Sequence, residues 1–394
     1  MAELTHSAVI IAMVQTAAML PVLLFAIPGG VIADFHERKY IIIGAHAFMS
    51  VIAFLMAVIT YYGCMTEWLL LSALFLLNIG LAFNQPAWQA ISARLVPTKE
   101  IKQTAVLNNL SFNVSRCVGP AIAGYLFSHL GAAPLFALNG LSFIGVIIMF
   151  SQRVEAQPKP AVSALTLATV LRGFSDGVRF FREIPLFRSI VCKSTCYFTL
   201  ASSVFALLPY VVLIQNKMSS DTLGLLTGAA GLGAVLNAIL IHRLRELLTD
   251  DFMTTLAMFL TCLTIAAVAI FQTVILLFCV MLLFGFCWSL TISVYNGTLQ
   301  ADMPDQIRSR LLGIYFVSFA AAQAIGSYMS GSLTQFFGVT TTLMLIAGTT
   351  LVAAIRYAAM KHTSSFLPHA VTNNHVPIAP EYLPPDKHSQ GAGF

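Results

Sequence analysis

The chain has 394 residues, of which 58% are hydrophobic and only 9% are charged, and its formal net charge is +5. Soluble proteins carry about 25% charged residues, so no soluble fold of this length has enough interior to bury so much apolar surface. The seven cysteines lack metal-type pairing, which argues against a zinc site or a disulfide framework. Basic residues do not cluster with aromatic ones, so nucleic acid is not an expected partner. The composition predicts an integral membrane protein.

Long apolar runs follow one another along most of the chain. A bilayer core about 30 Å thick needs roughly 20 apolar residues in a helix, and uninterrupted runs of this length exclude a β-barrel. Runs of this kind lie near 8–33, 40–61, 68–92, 103–130, 132–152, 187–213, 221–242, 252–271, 273–298, 311–336 and 339–360. We therefore expect an all-α membrane protein with about eleven spans.

Basic residues lie in alternate short loops, and the single lysine of the opposite loops is Lys217. The basic loops hold Arg38, Lys39, Arg94, Lys99, Lys102, Arg243, Arg245, Arg308 and Arg310. By the positive-inside rule, these loops and the C-terminus are expected to be cytoplasmic. The first run then begins outside, so we also expect one more helix upstream of it.

A weak internal repeat relates the two halves of the chain. Four pairs of glycine or proline share one offset (304 − 97 = 207): Pro97 and Pro304, Gly119 and Gly326, Gly124 and Gly331, Gly131 and Gly338. Many secondary transporters consist of two homologous halves with substrate bound between them. We expect an N-terminal half at 1–152 with five visible spans and a C-terminal half at 187–361 with six. An upstream helix would make a total of twelve.

Two segments lie outside the predicted spans. Residues 153–186 form the expected cytoplasmic linker, in which 164–182 have the pattern of an amphipathic helix on the inner membrane surface. Residues 362–394 contain many Pro, His and Asn and are expected to be a disordered tail.

The end of the first run carries a recognisable motif. Residues 28–34 read Pro-Gly-Gly-Val-Ile-Ala-Asp, and Arg38 and Lys39 follow. This stretch resembles the signature loop after the second helix of the major facilitator superfamily. The resemblance implies a cytoplasmic latch formed by Gly30, Asp34, Arg38 and Lys39. The alternative is that the two basic residues only fix the topology.

A second stretch resembles the siderophore- and drug-exporter branch of that superfamily. It runs from Asn84-Gln85-Pro86 to Gly119-Pro120-x-x-Ala123-Gly124, the last part matching the end of the fifth-helix antiporter motif. Glycine and alanine let helices approach closely, and Pro120 permits a bend. The resemblance implies a major facilitator fold of two pseudo-symmetric helical half-bundles. It also implies that Gly119, Pro120 and Gly124 take part in conformational change.

Arg116 is the one charge predicted well inside a span. A charge near the bilayer centre costs a few kcal/mol, so it is a candidate for function. Asn109, Asn113 and Arg116 share one helix face, and the same half adds Gln15, Asn84 and Gln85 to the candidate substrate pathway. Arg116 either attracts an anionic or catecholate-like group of the substrate, or pairs with a carboxylate on the upstream helix or with helix-end carbonyls. Weaker candidates in the second half are Tyr210, Asn237, Tyr295, Asn296 and Gln323.

These features favour a secondary active exporter of a small amphipathic molecule, siderophore- or drug-like, working by alternating access in a bacterial cytoplasmic membrane. The resemblance implies proton antiport, although no carboxylate lies inside a predicted span. The alternatives are an uptake permease and a non-transporting or truncated membrane scaffold. The spans contain no catalytic cluster and no set of metal ligands, and the chain has no Gly-x-x-x-x-Gly-Lys loop. We therefore expect no enzymatic activity, no cofactor and no metal.

Overall fold

The computed structural model describes residues 1–92, 101–153, 179, 181–303 and 305–364, and within them regular structure is helical. An all-α fold is therefore confirmed. The helices are α1 Ala8–Phe35, α2 Arg38–Tyr61, α3 Glu67–Ser92, α4 Ile101–Leu130, α5 Ala132–Arg153, α6 Pro185–Pro209, α7 Ser220–Leu247, α8 Asp250–Ile270, α9 Val274–Asp302, α10 Asp305–Phe337 and α11 Val339–Ser364. A π-helical turn, Tyr210–Gln215, continues α6. Most of the predicted linker helix, nearly all of the predicted tail, Pro97 and Pro304 lie outside the described residues.

The eleven helices coincide with the eleven predicted spans. Ten of them are long and apolar enough to cross a membrane, judged by length and composition within the described residues. The eleventh, α4, lies alongside α7, which is one of the ten. Few residues separate consecutive helices within α1–α5 and within α6–α11, so successive helices run in opposite directions. Their termini therefore lie at two opposite ends of the bundle.

Several helices extend beyond their apolar runs. The sequence predicts spans at 221–242 and 311–336, but α7 continues to Leu247 and α10 begins at Asp305. At the end of α7, Arg243 and Arg245 are exposed. A helix can continue past the hydrocarbon region because its backbone hydrogen bonds are internal, while its charged side chains reach water. The hydropathy of the sequence therefore indicates where the apolar part of a helix ends, but it does not indicate where the helix itself ends.

Two glycines end the equivalent helices α4 and α10 in the same way. Gly131 and Gly338 both have φ of +78°, a left-handed conformation that strains any residue with a Cβ. Each donates its N–H to the carbonyl four residues earlier, Phe127 or Thr334, at 2.9 Å. We call this end of the bundle the capped end. The opposite end, where α2 begins at Arg38 and α7 ends, is the basic end.

The helices pack in two groups, α1–α5 and α6–α11. In the first group α1 packs on α3, and α2 packs on both α3 and α5. In the second group α7 packs on α9, α8 packs on both α9 and α11, and α6 packs on α10. Two main contacts join the groups, α1 with α10 and α4 with α7. The interface between the groups is therefore formed mainly by two helix pairs, with a smaller contact of α1 with α6, and this interface positions the candidate site.

Candidate functional site

Glycines of α7 bring it into backbone contact with α4 near the capped end. A Cβ placed on Gly224 would lie 2.5 Å from the carbonyl oxygen of Pro120 and 2.9 Å from Cα of Gly124. A Cβ on Gly228 would lie 2.9 Å from the carbonyl oxygen of Cys117. Such close approach is possible only with residues that have little or no side chain. The crossing places Gly124 and the carbonyl oxygen of Pro120 in a helix contact, and their part in conformational change stays a prediction.

The α1–α10 crossing is the counterpart of the α4–α7 crossing. A Cβ on Gly331 would lie 2.7 Å from Cβ of Ala12 and 3.0 Å from Cα of Val9. Gly331 precedes Gly338 by seven residues, as Gly124 precedes Gly131 (338 − 331 = 131 − 124 = 7). The two crossings therefore lie at the same depth below the capped end.

Polar side chains join α1 and α10 just below this crossing. Gln15 donates from Nε2 to Oε1 of Gln323 over 3.1 Å, and Gln323 is only 3% exposed. Thr16 donates from Oγ1 to the carbonyl of Ala324 over 3.0 Å. In a membrane such hydrogen bonds stabilise helix pairs by roughly 1 kcal/mol each. Gln15 therefore joins the two groups in this structure, and its predicted place in the substrate pathway stays a prediction.

Arg116 lies near the middle of α4, in the position equivalent to Gln323 of α10 (323 − 116 = 207). It is half-buried, and its carbonyl oxygen lies against Gly231 of α7. The α4–α7 contact therefore extends from the capped end to the level of Arg116. The position that bears an interface amide in one group bears a positive charge in the other.

Of the other predicted pathway residues, Asn84 and Gln85 are the two whose side chains the structure describes. Asn84 of α3 is half-buried, and its Oδ1 is a buried oxygen without a hydrogen-bond partner, whereas Gln85 is exposed. The side chains of Asn109 and Asn113 on α4 lie outside the described residues. Gln15 and the backbone of Arg116 therefore lie at the interface between the groups, and Gln85 is exposed.

The predicted latch is described only in part. Lys39 donates from Nζ to the carbonyl of Ser151 at the end of α5, over 3.3 Å. Arg38 is the first residue of α2. Nothing is described of the Asp34 side chain, and Gly30 lies within α1. The ion pair between Asp34 and Arg38 therefore stays a prediction.

A charged network at the basic end of the second group was missed. Lys193 of α6 pairs with Asp251 of α8 at 2.9 Å. Asp250 lies 3.8 Å from Nε of Arg245 and accepts a hydrogen bond from Thr298 of α9 at 2.9 Å. Sequence reasoning used the basic residues only to orient the chain. The signal that could have found the network is the Asp-Asp pair that begins α8, five residues after Arg245.

An aromatic cluster, also missed, fills the second group between α6, α9 and α10. Trp288 lies with its ring centroid 5.0 Å from Phe198, 5.2 Å from Phe205, 5.8 Å from Phe284 and 6.1 Å from Phe319. Phe205 and Phe319 remain partly exposed. The spacing of Phe284 and Trp288, four apart on α9, is the sequence signal, because it places both rings on one helix face.

The described residues provide polar, charged and aromatic groups at and near the interface between the helix groups. Within the described residues no group of three or more His, Cys, Asp or Glu could hold a metal ion. Buried amides such as Asn237, which donates to Ser289 at 3.0 Å, are used in packing between α7 and α9. The arrangement places Arg116 in the middle of α4, two helix crossings made of small residues between the groups, and the aromatic cluster within the second group.

Comparison with known proteins agrees with this architecture. The profile of the family described as "Transmembrane secretion effector" matches residues 1–383. Macrolide efflux protein A of Streptococcus pyogenes is 26% identical over 210 residues, or 53% of this chain and 51% of that protein. The chain thus spans about half the length of the macrolide efflux proteins that it matches. Enterobactin exporter EntS of Shigella flexneri is 25% identical over 314 residues, or 77% of this chain and 72% of that protein.

Solved structures show the same fold. The crystal structure of a variant of the nucleoside transporter NupG superposes with a TM-score of 0.73 at 14% identity, covering 90% of this chain and 91% of NupG. This confirms the predicted major facilitator architecture. The extent of the family match confirms the predicted superfamily as well. The chain belongs to the transmembrane secretion effector family of major facilitator transporters, which are multi-pass membrane proteins and not enzymes.

Proposed function

We propose that this protein is a secondary active exporter that moves a small amphipathic molecule by alternating access. The observation that carries the proposal is the pair of equivalent crossings at the capped end, Gly124 with Gly224 and Gly331 with Ala12. Alternating access is largely rocking of one half against the other around a central site. Crossings made of backbone and methyl groups can part without unlocking interdigitated large side chains.

We assign the basic end to the cytoplasm and the capped end to the outside of a bacterial cytoplasmic membrane. The positive-inside rule supports this orientation through Arg38, Lys39, Arg243 and Arg245. The C-terminus then lies in the cytoplasm, because α11 runs towards the basic end. In this orientation the described contacts between the groups close the outer side, as expected of a state that receives substrate from inside.

Export of an amphipathic substrate is supported by the relatives and by the interface. The related proteins are named for efflux of a macrolide and of enterobactin. Arg116 supplies a cation at membrane depth, and such charges usually face a pathway and not lipid. We propose that Arg116 binds an anionic or hydrogen-bond-accepting group of the substrate, while apolar parts lie against aromatic side chains.

We propose the proton as the coupling ion. Support comes from the Gly119-Pro120-x-x-Ala123-Gly124 stretch, which resembles the antiporter motif. Asp250 and Asp251 are carboxylates at the basic end whose ion pairs join α6, α7 and α8.

Transport into inverted membrane vesicles tests direction and coupling together. Vesicles containing the full chain are given a labelled macrolide or enterobactin, and their interior is acidified. We expect uptake that collapses with an uncoupler and does not require ATP, with vesicles lacking the chain as control. Uptake only in right-side-out vesicles would indicate a permease. Absence of flux in both orientations, with folded protein present, would indicate a scaffold.

A further inference from the structure

The last helices of the two groups, α5 and α11, are equivalent and share an exposed apolar face. The offset of 207 that relates Gly131 to Gly338 also relates the starts of these helices (339 − 132 = 207). Ile148 of α5 and Ile355 of α11 are equivalent, and their exposed fractions are 50% and 53%. Large apolar residues that stay exposed on a membrane helix suit contact with lipid.

Arg356 interrupts this apolar face in α11. Its counterpart in α5 is Met149, which is 43% exposed (356 − 149 = 207). Arg356 is exposed as well. It lies 17 residues, or about 26 Å, from the start of α11 (356 − 339 = 17) and so near the inner boundary of a hydrocarbon core about 30 Å thick, at the basic end. A charge at that depth can extend to the lipid headgroups, whereas a charge facing the hydrocarbon is costly.

A second arginine, Arg188, lies across the groove between α6 and α11. Tyr357, the residue after Arg356, lies against Cys196 of α6 and near Cys192. Cys192 and Tyr357 are each seven residues from the basic end of their helices (192 − 185 = 364 − 357 = 7). Arg188 is exposed and precedes Cys192 by four residues, so the two share a helix face. The two arginines therefore flank one groove near the basic end.

The described carboxylates at the basic end of the second group are paired with other basic residues. The pairs are Glu183 with Arg179, Asp251 with Lys193, Asp250 with Arg245 and Glu246 with His242. Among the side chains that the structure describes, Arg188 and Arg356 have no such carboxylate. Their positive charges are thus available to an anion from outside the bundle.

The apolar surface next to Arg356 has the length of one lipid leaflet. Leu345, Val352 and Ile355 lie on the exposed side of α11 towards the capped end, with exposed fractions of 50%, 59% and 53%. Leu345 and Ile355 are ten residues apart, or about 15 Å, which is half of a hydrocarbon core about 30 Å thick. A small inorganic anion would leave this strip uncovered. A lipid would cover it with its acyl chains.

We propose that Arg188 and Arg356 bind the phosphodiester headgroup of an anionic glycerophospholipid, whose acyl chains lie along the exposed side of α11. Arginine forms bidentate hydrogen bonds with phosphate oxygens, and basic pockets between membrane helices favour anionic headgroups. A zwitterionic lipid fits less well, because the described side chains leave no carboxylate here for its ammonium group. The site lies away from the α1–α10 and α4–α7 crossings, so the inference goes beyond export and needs no particular substrate or coupling ion.

Native mass spectrometry of the full chain in detergent tests the choice of lipid. The protein is titrated with phosphatidylglycerol and separately with phosphatidylethanolamine of the same acyl chains, and the ratio of the two dissociation constants is the preference. We expect a preference for phosphatidylglycerol of about 25-fold at the tightest site, or about fivefold from each arginine. Arg188→Gln and Arg356→Met, which copies the residue of α5, should each lower it about fivefold.

Two further variants separate charge at this site from charge elsewhere. Arg356→Lys keeps the charge and should keep most of the preference. Arg243→Gln removes an exposed arginine of α7 at the same end and should leave the preference unchanged. The same preference in the wild-type protein and in the double variant of Arg188→Gln with Arg356→Met would overturn the proposal. Displacement of the lipid by millimolar inorganic phosphate alone would indicate a small-anion site and would also overturn it.

Photo-cross-linking in vesicles locates the bound lipid. The photoreactive amino acid p-benzoylphenylalanine replaces Cys192, which is exposed beside the groove, and in a matched control replaces Met149 of α5. The vesicles contain equal amounts of phosphatidylglycerol and phosphatidylethanolamine. We expect position 192 to link mainly to phosphatidylglycerol and position 149 to link to both lipids equally. Equal linking to both lipids from position 192 would contradict binding in this groove.

Discussion

Gln15 of α1 donates a hydrogen bond to Gln323 of α10 over 3.1 Å, and Gln323 occupies the position in α10 that Arg116 occupies in α4. Gln323 therefore joins the two helix groups through its hydrogen bond. Arg116, at the equivalent position, instead introduces a positive charge. A strictly symmetric interface would have the same residue in both. The difference separates a structural contact from a candidate substrate contact, and each can be tested by itself.

Removing the Gln15–Gln323 bond should reveal its contribution to stability. In a double-mutant cycle of Gln15→Leu and Gln323→Leu, we expect a coupling free energy of about 1 kcal/mol, because each single change leaves a partly buried amide without its partner. Chemical unfolding in detergent measures it. Gln215→Leu is the control, because its bond to Thr340 is exposed and joins helices of one group. Strictly additive effects of the two leucines would show that the bond contributes nothing.

Substitution of Arg116 should affect transport more than folding. We expect Arg116→Gln, which copies the residue of α10, to reduce export of an anionic substrate about tenfold, corresponding to about 1.4 kcal/mol of lost interaction. Arg116→Lys retains the charge and should retain part of the activity. Concentration-dependent export and membrane abundance are measured together. Normal export by both variants would show that Arg116 has no substrate role, and loss of both from the membrane would contradict the expectation that Arg116 affects transport more than folding.

The aromatic cluster should depend on Trp288. Trp288 is 3% exposed and contacts four phenylalanines, so we expect Trp288→Ala to destabilise the protein by about 3 kcal/mol through the cavity it leaves. Trp68→Ala is the matched control, since Trp68 is 62% exposed and its loss should change the unfolding free energy by less than about 0.5 kcal/mol. Equal effects of the two substitutions would contradict the packing described.

The two glycine caps should respond alike. Gly131→Ala and Gly338→Ala place a Cβ at φ of +78°, which should cost about 1 kcal/mol in each case. Gly145→Ala, inside α5, should instead stabilise the helix slightly, because alanine is the better helix former. Thermal unfolding of the three variants provides the comparison. A large difference between the two caps would argue against their equivalence.

Much of the fold could be predicted because a helix that crosses the lipid must be apolar over roughly 20 residues. Each of the eleven apolar runs coincides with a helix, as 8–33 does with Ala8–Phe35. Hydropathy says little about where a helix ends in water, so the extension of α7 to Leu247 was missed. The change to π-helix at Tyr210–Gln215 has no hydropathy signal at all. Helix type and length depend on contacts that composition does not encode.

The candidate site could be predicted only as separate residues. Gln15 and Gln323 each stand out as amides in apolar runs, but they are 308 positions apart, and their pairing depends on how the groups meet. Neither Lys193 nor Asp251 was predicted as a site residue, because a charge near a helix end usually faces water. Their ion pair at 2.9 Å depends on the approach of α6 to α8. Pairings of this kind follow from tertiary structure.

The central claim is that the capped end opens during transport, and a reversible cross-link tests it most directly. The variant Ala12→Cys with Gly331→Cys joins α1 to α10, where Cβ of Ala12 lies 2.7 Å from a Cβ built on Gly331. A disulfide needs Cβ atoms about 3.8 Å apart, so the helices must separate by about 1 Å to form it. The exposed cysteines Cys64, Cys192 and Cys279 are first replaced by serine. The control pair, Ser50→Cys with Gly140→Cys, joins α2 to α5 within one group, where Ser50 already bonds to the Gly140 carbonyl.

Export is then measured in the oxidised and the reduced protein. We predict that oxidation of the Ala12–Gly331 pair abolishes export, that reduction restores it, and that the control pair exports equally in both states. Full export by the oxidised Ala12–Gly331 variant, with the disulfide verified by mass, would contradict alternating access at the capped end.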